Sequence, residues 1–327
     1  MHFTTLRYLA ARNRGHTSDD AVQPVERALS ECGVRGVNND AGLIRLAGKV
    51  AARSGLYRRL TSYSNVAYLV PMMGPCFYRT FPQALFAEVV PFAFDCWPPE
   101  FGRWTHLLRT LKVRTALFTA RQAAEEMRER VPGLDALWLP EAVDSAFFDP
   151  ARPLAARNVD VLELGRRWDW YHDAIAGHCR DREYVHRYQQ TPTSLVFAGR
   201  QALKAGLEDT KLLVCLPSSL THPSRSGNIE TLTLRYLEGM AAGCLILGRC
   251  PSELQDLFGY DPVIPIDTGD PTGQLDRLLA NLHQHQQLVA RNLARLHEVG
   301  TWTFRMATAL GLLEERGYRA SVTAQRR

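Results

Sequence analysis

The stretch that most limits how this chain can fold runs from Lys211 to Leu257, KLLVCLPSSLTHPSRSGNIETLTLRYLEGMAAGCLILGRCPSELQDL. It holds two short, wholly apolar runs, at 212–216 and 244–247. A polar loop and a helix-patterned segment, from Glu230 to a stop at Gly243, lie between them. Strands with no polar face need cover on both sides, and two such strands joined through a helix pair in parallel. The stretch therefore predicts a strand, helix, strand unit of an open α/β sheet, with a long loop at the carboxyl end of its first strand.

Ligands of such sheets bind beyond the carboxyl ends of the strands, where a helix start offers free N–H groups and a positive dipole end to an anion. A nucleoside diphosphate suits that environment. The predicted helix carries Glu230 in its first turn and Glu238 two turns on. A separation of about 12 Å along the axis fits the two ends of one extended ligand better than one reacting bond. A purely structural account is also open, because Glu is favourable in a first turn and Glu238 stands three residues after Arg235.

The same rhythm extends through most of the chain. NVAYLVPMM, VVPFAFD, VRTALFT and ALWLP predict four buried strands from Asn65 onward, with helices at about 100–111 and 120–130. A Pro-, Ala- and Asp-rich stretch at 139–160 lacks periodicity and predicts a linker. Alternation then resumes with VDVLELG, a helix over 168–181, SLVFAGR, a helix over 201–208 and the central unit. A helix at 252–258, the strand PVIPID, one long helix over 273–298 and an amphipathic helix beginning near Thr301 follow. Only the first 40 residues are poorly patterned, with one helix expected at 19–31. The expectation is α/β, with two Rossmann-like domains facing across a cleft: 1–150, 151–300, and a terminal helical segment at 301–327.

Glu, seven residues, Glu, then Gly-Met-Ala-Ala-Gly and a buried strand resembles the donor-binding segment of GT-B glycosyltransferases. ETLTLRYLEGMAAGCLILG with PSEL and LFGY after it is most similar to group 1 glycosyltransferases related to spore-maturation-type enzymes. The resemblance runs from about Asp160 to Ile266. It implies a retaining, metal-independent hexosyltransferase, with a nucleotide-sugar donor and a hydroxyl acceptor on a glycan, lipid or small molecule. Glu238 would then hold the nucleotide ribose and Glu230 face the donor sugar. Thr231 and Arg235 would lie in the same donor segment, and the terminal helix would cross back to the N-terminal domain. A basic residue after the first strand of the second half would meet the diphosphate, which nominates Arg166 and Arg167. The usual family Lys a few residues on is replaced here by WDWYHD. Arg225, in the loop before the helix, is a further diphosphate candidate. Asp95 and Thr119 end predicted strands of the first half and are candidate site residues, Asp95 as the catalytic carboxylate; a turn-capping role is equally open to it.

Several function classes are excluded or disfavoured. G-x-G-x-x-G is absent, which weakens a dehydrogenase reading, and no cofactor is implied. There is no Asp-x-Asp pair and no CxxC among the seven cysteines, and His172, His178 and Cys179 lack further ligands on their helix, so no metal site is expected. A net charge of +5 fits an anionic ligand, but no stacking platform or helix-turn-helix signature points to nucleic acid. A silent nucleotide-sugar binder of the same fold is the alternative to the enzyme. No apolar run is long enough to span a membrane or serve as a signal peptide, so the expected location is the cytoplasm. The segment 41–60 is amphipathic and carries Arg45, Lys49, Arg53, Arg58 and Arg59 with no acid, a pattern suited to the anionic inner face of a membrane or to plain solvent exposure.

Overall fold

A computed structural model of the chain describes residues 3–10, 17–38, 47, 50, 64–165, 167–191 and 194–320. Apart from Ala47 and Val50, the basic segment 41–60 lies outside the described residues. The chain divides into two compact units, one of residues 1–141 and 302–327, the other of Ala142–Thr301. Residues 142–150 thus group with the second unit, whose start falls short of the expected boundary at 150.

The first unit begins with strand β1 (Thr4–Ala10), helix α1 (Thr17–Glu31) and strand β2 (Arg35–Asn38). It continues with β3 (Val66–Met72), β4 (Glu88–Ala93), α2 (Phe101–Thr110), β5 (Thr115–Phe118), α3 (Arg121–Arg130) and β6 (Asp135–Trp138). All of its strand pairs are parallel. Every residue of β4 is buried, as a strand covered on both faces requires. Helix α2 turns Phe101, Trp104, Leu107 and Leu108 inward at helical spacing. Strand β1 was missed from the sequence because its threonines and arginine interrupt the apolar pattern that marks the other strands.

The second unit holds β7 (Val159–Glu163), α4 (Asp169–Asp181), β8 (His186–Arg187), α5 (Arg200–Glu208) and β9 (Thr210–Cys215). After two helical turns come α6 (Leu234–Ala241), β10 (Leu245–Gly248), α7 (Ser252–Phe258), β11 (Ile264–Pro265), α8 (Pro271–Ala280) and α9 (Leu282–Val299). The sheet order is β11-β10-β9-β7-β8, again parallel throughout. Side chains alternate across it. Leu213, Cys215 and Ile246 join Tyr236, Leu237 and Met240 of α6 on one face. Leu212, Val214, Leu245 and Leu247 join Tyr171 and Ile175 of α4 on the other. Gly239 lets α6 lie close: a Cβ there would meet Leu213 Cδ2 at 2.3 Å.

Three expected elements differ. SLVFAGR forms no strand, and Leu195 within it is 76% exposed; the neighbour of β7 is instead the two-residue β8. The long helix is two, parted at Asn281, whose amide donates to the Arg277 carbonyl at 2.8 Å and ends the first. The helix expected from Glu230 begins only at Leu234.

The final described segment returns to the first unit as α10 (Trp302–Glu314) and β12 (Tyr318–Ala320). Trp302 sits 6.4 Å from Phe92 and 6.0 Å from Phe94, ring centre to ring centre. Tyr318 donates its hydroxyl to the buried Glu88, which also pairs with Arg114, and burial with that carboxylate pushes the phenol up to about 12. No helix among the described residues is long and apolar enough to cross a membrane.

Two glycines separate backbone contact from backbone conformation. A Cβ at Gly248 would stand 1.8 Å from the Cys215 carbonyl oxygen, whereas Gly259 is left-handed at φ +78° with nothing within 4 Å of an added Cβ. Gly259→Ala should therefore cost about 1 to 2 kcal/mol, the strain of that conformation alone. Gly248→Ala must push two paired strands apart and should lower the urea midpoint further. The opposite order would contradict this packing.

Candidate functional site

At the carboxyl edge of the second sheet, residues 230–233 run as an irregular lead into α6 instead of as its first turn. The segment is held by a contact from later in the chain. Glu253 of α7, 2% exposed, accepts the Thr231 hydroxyl at 2.7 Å and the Leu232 N–H at 3.0 Å. These bonds anchor the lead-in segment to α7. Thr233, extended at φ −111° and ψ 154°, then begins α6 without a side-chain cap, and its carbonyl accepts the Tyr236 N–H at 3.1 Å.

Glu230 stands four residues before α6, and Arg249 meets it, Nε to Oε1, at 2.7 Å. Arg249 follows β10 directly. Its position is fixed by its own N–H, which donates to the Cys215 carbonyl at 3.2 Å, and by its carbonyl, which accepts the Tyr236 hydroxyl at 2.6 Å. Glu238, on the helix proper, has a side chain 13% exposed and accepts from Arg235 Nη1 at 2.6 Å. The i, i+3 pairing expected from spacing is thus present. Burial raises the Glu238 carboxyl, opposed by the charges of Arg235 and Arg200. Arg200, which opens α5, also reaches Asp144 at 3.5 Å and lies 4.3 Å over the Phe147 ring.

Five of the expected donor-site residues, Arg225, Glu230, Thr231, Arg235 and Glu238, lie on the segment between β9 and β10. Arg225 is exposed on the helical turn Pro223–Ser226. Thr231 is buried, and its hydroxyl is spent on Glu253. Arg167, beyond the end of β7, bonds Asp169 at 3.0 Å, while Arg166 lies outside the described residues. In the first unit Asp95 follows β4, accepting the Trp97 indole N–H at 3.0 Å on its carboxylate and the Trp104 indole N–H at 3.2 Å on its carbonyl. Thr119 is buried and donates to the Phe94 carbonyl. Arg249, Arg200 and Glu253 went unnamed from the sequence. Arg249 and Arg200 had a usable signal, being charged residues where a strand ends or a helix starts; Glu253 had none.

The trio considered for a metal also separates. His178 bonds Asp276 at 2.8 Å, and Cys179 is buried with its thiol pushed up to about 12. His172 instead meets Glu163, at the end of β7, at 2.7 Å.

No family model matches the sequence, and no curated protein does. Solved structures are similar in fold. A sucrose-phosphate synthase from Thermosynechococcus elongatus aligns with TM-score 0.61 at 12% identity over 96% of this chain and 98% of that one. HepE from Anabaena, in complex with UDP and glucose, aligns with TM-score 0.58 at 10% identity over 96% and 100%. TarM aligns with TM-score 0.50 at 12% identity over 76% of this chain, which spans about half of TarM's length, 54%. The chain thus has an α/β fold of the GT-B type.

The raised carboxyl of Glu238 sets a pH dependence. A folded-state value above the ordinary 4.5 means the folded protein holds a proton that the unfolded chain has released. The stability this contributes is present in full below 4.5 and is lost as pH rises through the folded value. Urea unfolding across acidic pH should show the wild type losing stability relative to Glu238→Gln in that window. Parallel profiles would place the carboxyl at its ordinary value.

Proposed function

We propose that this chain is a hexosyltransferase that moves a sugar from a nucleoside diphosphate sugar to a hydroxyl acceptor in building a glycan or glycoconjugate. One observation carries the reading: a largely buried carboxylate, Glu238, sits with a guanidinium on the helix that starts beyond the strand ends of the second unit. Burying a charge is costly unless hydrogen-bond donors meet it, and the paired hydroxyls of a ribose are such donors. HepE, solved with UDP and glucose, supports a nucleotide-sugar donor.

In this reading Glu238 holds the ribose and the more exposed Glu230 faces the transferred sugar. The start of α6, with Arg225, Arg235, Arg249, Arg166 and Arg167, surrounds the diphosphate, and Thr231 keeps Glu230 ahead of the helix through Glu253. Fixed guanidinium and amide charges stabilise the departing diphosphate as negative charge grows on it, so transfer needs no metal there. We assign retention at the anomeric carbon, and Asp95 as the carboxylate on the acceptor side. The second unit is then the donor domain and the first the acceptor domain. The protein works in the cytoplasm, with 41–60 as a peripheral contact to anionic lipid.

A panel of nucleotide sugars screened by thermal shift, followed by assay for released nucleoside diphosphate, tests the activity; a ligand that binds without turnover would leave a silent binder. Calorimetry tests the roles. Glu238→Gln should weaken the intact donor and the bare nucleoside diphosphate alike, by roughly ten- to hundredfold, the worth of a hydrogen bond to a charged group. Glu230→Gln should leave the bare nucleotide nearly unaffected and weaken the donor, and Arg249→Ala should weaken both. Equal losses for both ligands in both Glu variants, or none in either, would refute the division of roles. For the lipid contact, co-sedimentation with anionic vesicles should fall with salt and with Arg45, Lys49 and Arg53 changed to Glu; equal pelleting with neutral vesicles would remove it.

A further inference from the structure

Glu163, His172 and His186 come together from three elements of the second unit: the last residue of β7, the first turn of α4 and the start of β8. One carboxylate oxygen, Glu163 Oε1, lies 2.7 Å from His172 Nδ1 and 2.8 Å from His186 Nε2. All three ligand atoms fall within 4.8 Å of one another. The cluster is dry: Glu163 is 4% exposed, His172 8%, and the His186 side chain 6%. The Tyr188 ring packs against both imidazoles, at 4.5 and 4.8 Å between ring centres.

The second oxygen of Glu163, Oε2, is buried and has no hydrogen-bond partner among the described residues. A buried carboxylate normally has its lone pairs met by donors. Here two imidazoles converge on one oxygen while the other accepts nothing, an arrangement that a cation would complete.

We propose that Glu163, His172 and His186 bind a zinc ion. Two imidazole nitrogens and a carboxylate are the donor types zinc takes, at about 2.0 to 2.2 Å, and a water completes a tetrahedral shell. Around such an ion the ligand atoms stand about 3.3 Å apart. Side-chain rotations that open the two hydrogen-bond distances by about half an ångström, and bring the imidazole nitrogens, now within 4.8 Å, to that spacing, admit it. The ion ties β8 and the start of α4 to the end of β7, and so steadies the loop that carries Arg167. It is independent of the glycosyl-transfer reading, which needs no metal at the diphosphate.

Untagged full-length protein, stripped with chelator and titrated with zinc, should take up about one ion per chain and rise in Tm, since a ligand of the native state alone stabilises it. Cobalt(II) in the same wild-type protein should give the strong visible bands of a tetrahedral site, which keeps the test open if a variant misfolds. Glu163→Gln, which preserves size and an acceptor, and His186→Ala should each weaken zinc binding by roughly tenfold or more. His283→Ala, at an exposed histidine elsewhere, should not. Absence of zinc uptake and of the cobalt bands, or uptake unchanged in Glu163→Gln and His186→Ala, would overturn the proposal and leave a hydrogen-bonded carboxylate with two histidines.

Discussion

The contact on which the carboxyl edge of the second unit's sheet depends is the buried carboxylate of Glu253 with Thr231 and Leu232. A carboxylate at 2% exposure is tolerable because it accepts from a hydroxyl and a backbone amide together. In satisfying itself it fixes residues 231 and 232 against α7, ahead of α6, which begins at Leu234. Glu230 is thereby released from the helix surface into the lead-in segment, within reach of Arg249, while Glu238 stays on the helix under Arg235. One structural carboxylate thus gives two others unlike surroundings, one accessible and one nearly dry.

Below that contact the sheet supplies rigidity. The strand ends that carry Cys215 and Gly248 pair so closely that no side chain fits at Gly248, and Arg249 hangs from the same carbonyl that forbids one. Its guanidinium is therefore aimed by backbone bonds more than by its exposed ion pair, which in water is worth little. The Gly239 contact with Leu213 does the same for α6.

What could be read from the sequence was what repeats locally. Buried parallel strands announce themselves by unbroken apolar runs, and α2, α3, α4 and α7 by helical spacing, because one chain segment contains the whole signal. The spacing of the two glutamates was legible for the same reason. Contacts between distant segments were not: Glu253 reaches 21 residues back to Leu232, and His186 reaches 23 residues back to Glu163. The misread SLVFAGR has the apolar composition of a strand but no partner to pair with, whereas β8 needs only two residues because β7 stands beside it. His172 and His178 share a helix yet face different partners, a distinction that depends on what packs around α4.

The second unit is an insertion in the first, and its ends lie side by side: Val143 donates to the Gly300 carbonyl at 2.9 Å and bridges Thr301 in parallel. Along β1, β12 occupies the edge at Thr4–Leu6 and β2 the edge at Arg7–Ala10. This imposes an order on synthesis. The second unit is complete in sequence once Thr301 has left the ribosome, but the first keeps an open strand edge beside Thr4 until Tyr318 arrives. The half made first is thus the half closed last, and the nascent chain carries the Thr4–Leu6 edge of β1 uncovered through the making of an entire second domain. Such an edge is a template for wrong partners. Chaperone demand and aggregation during expression should therefore concentrate on the N-terminal strand.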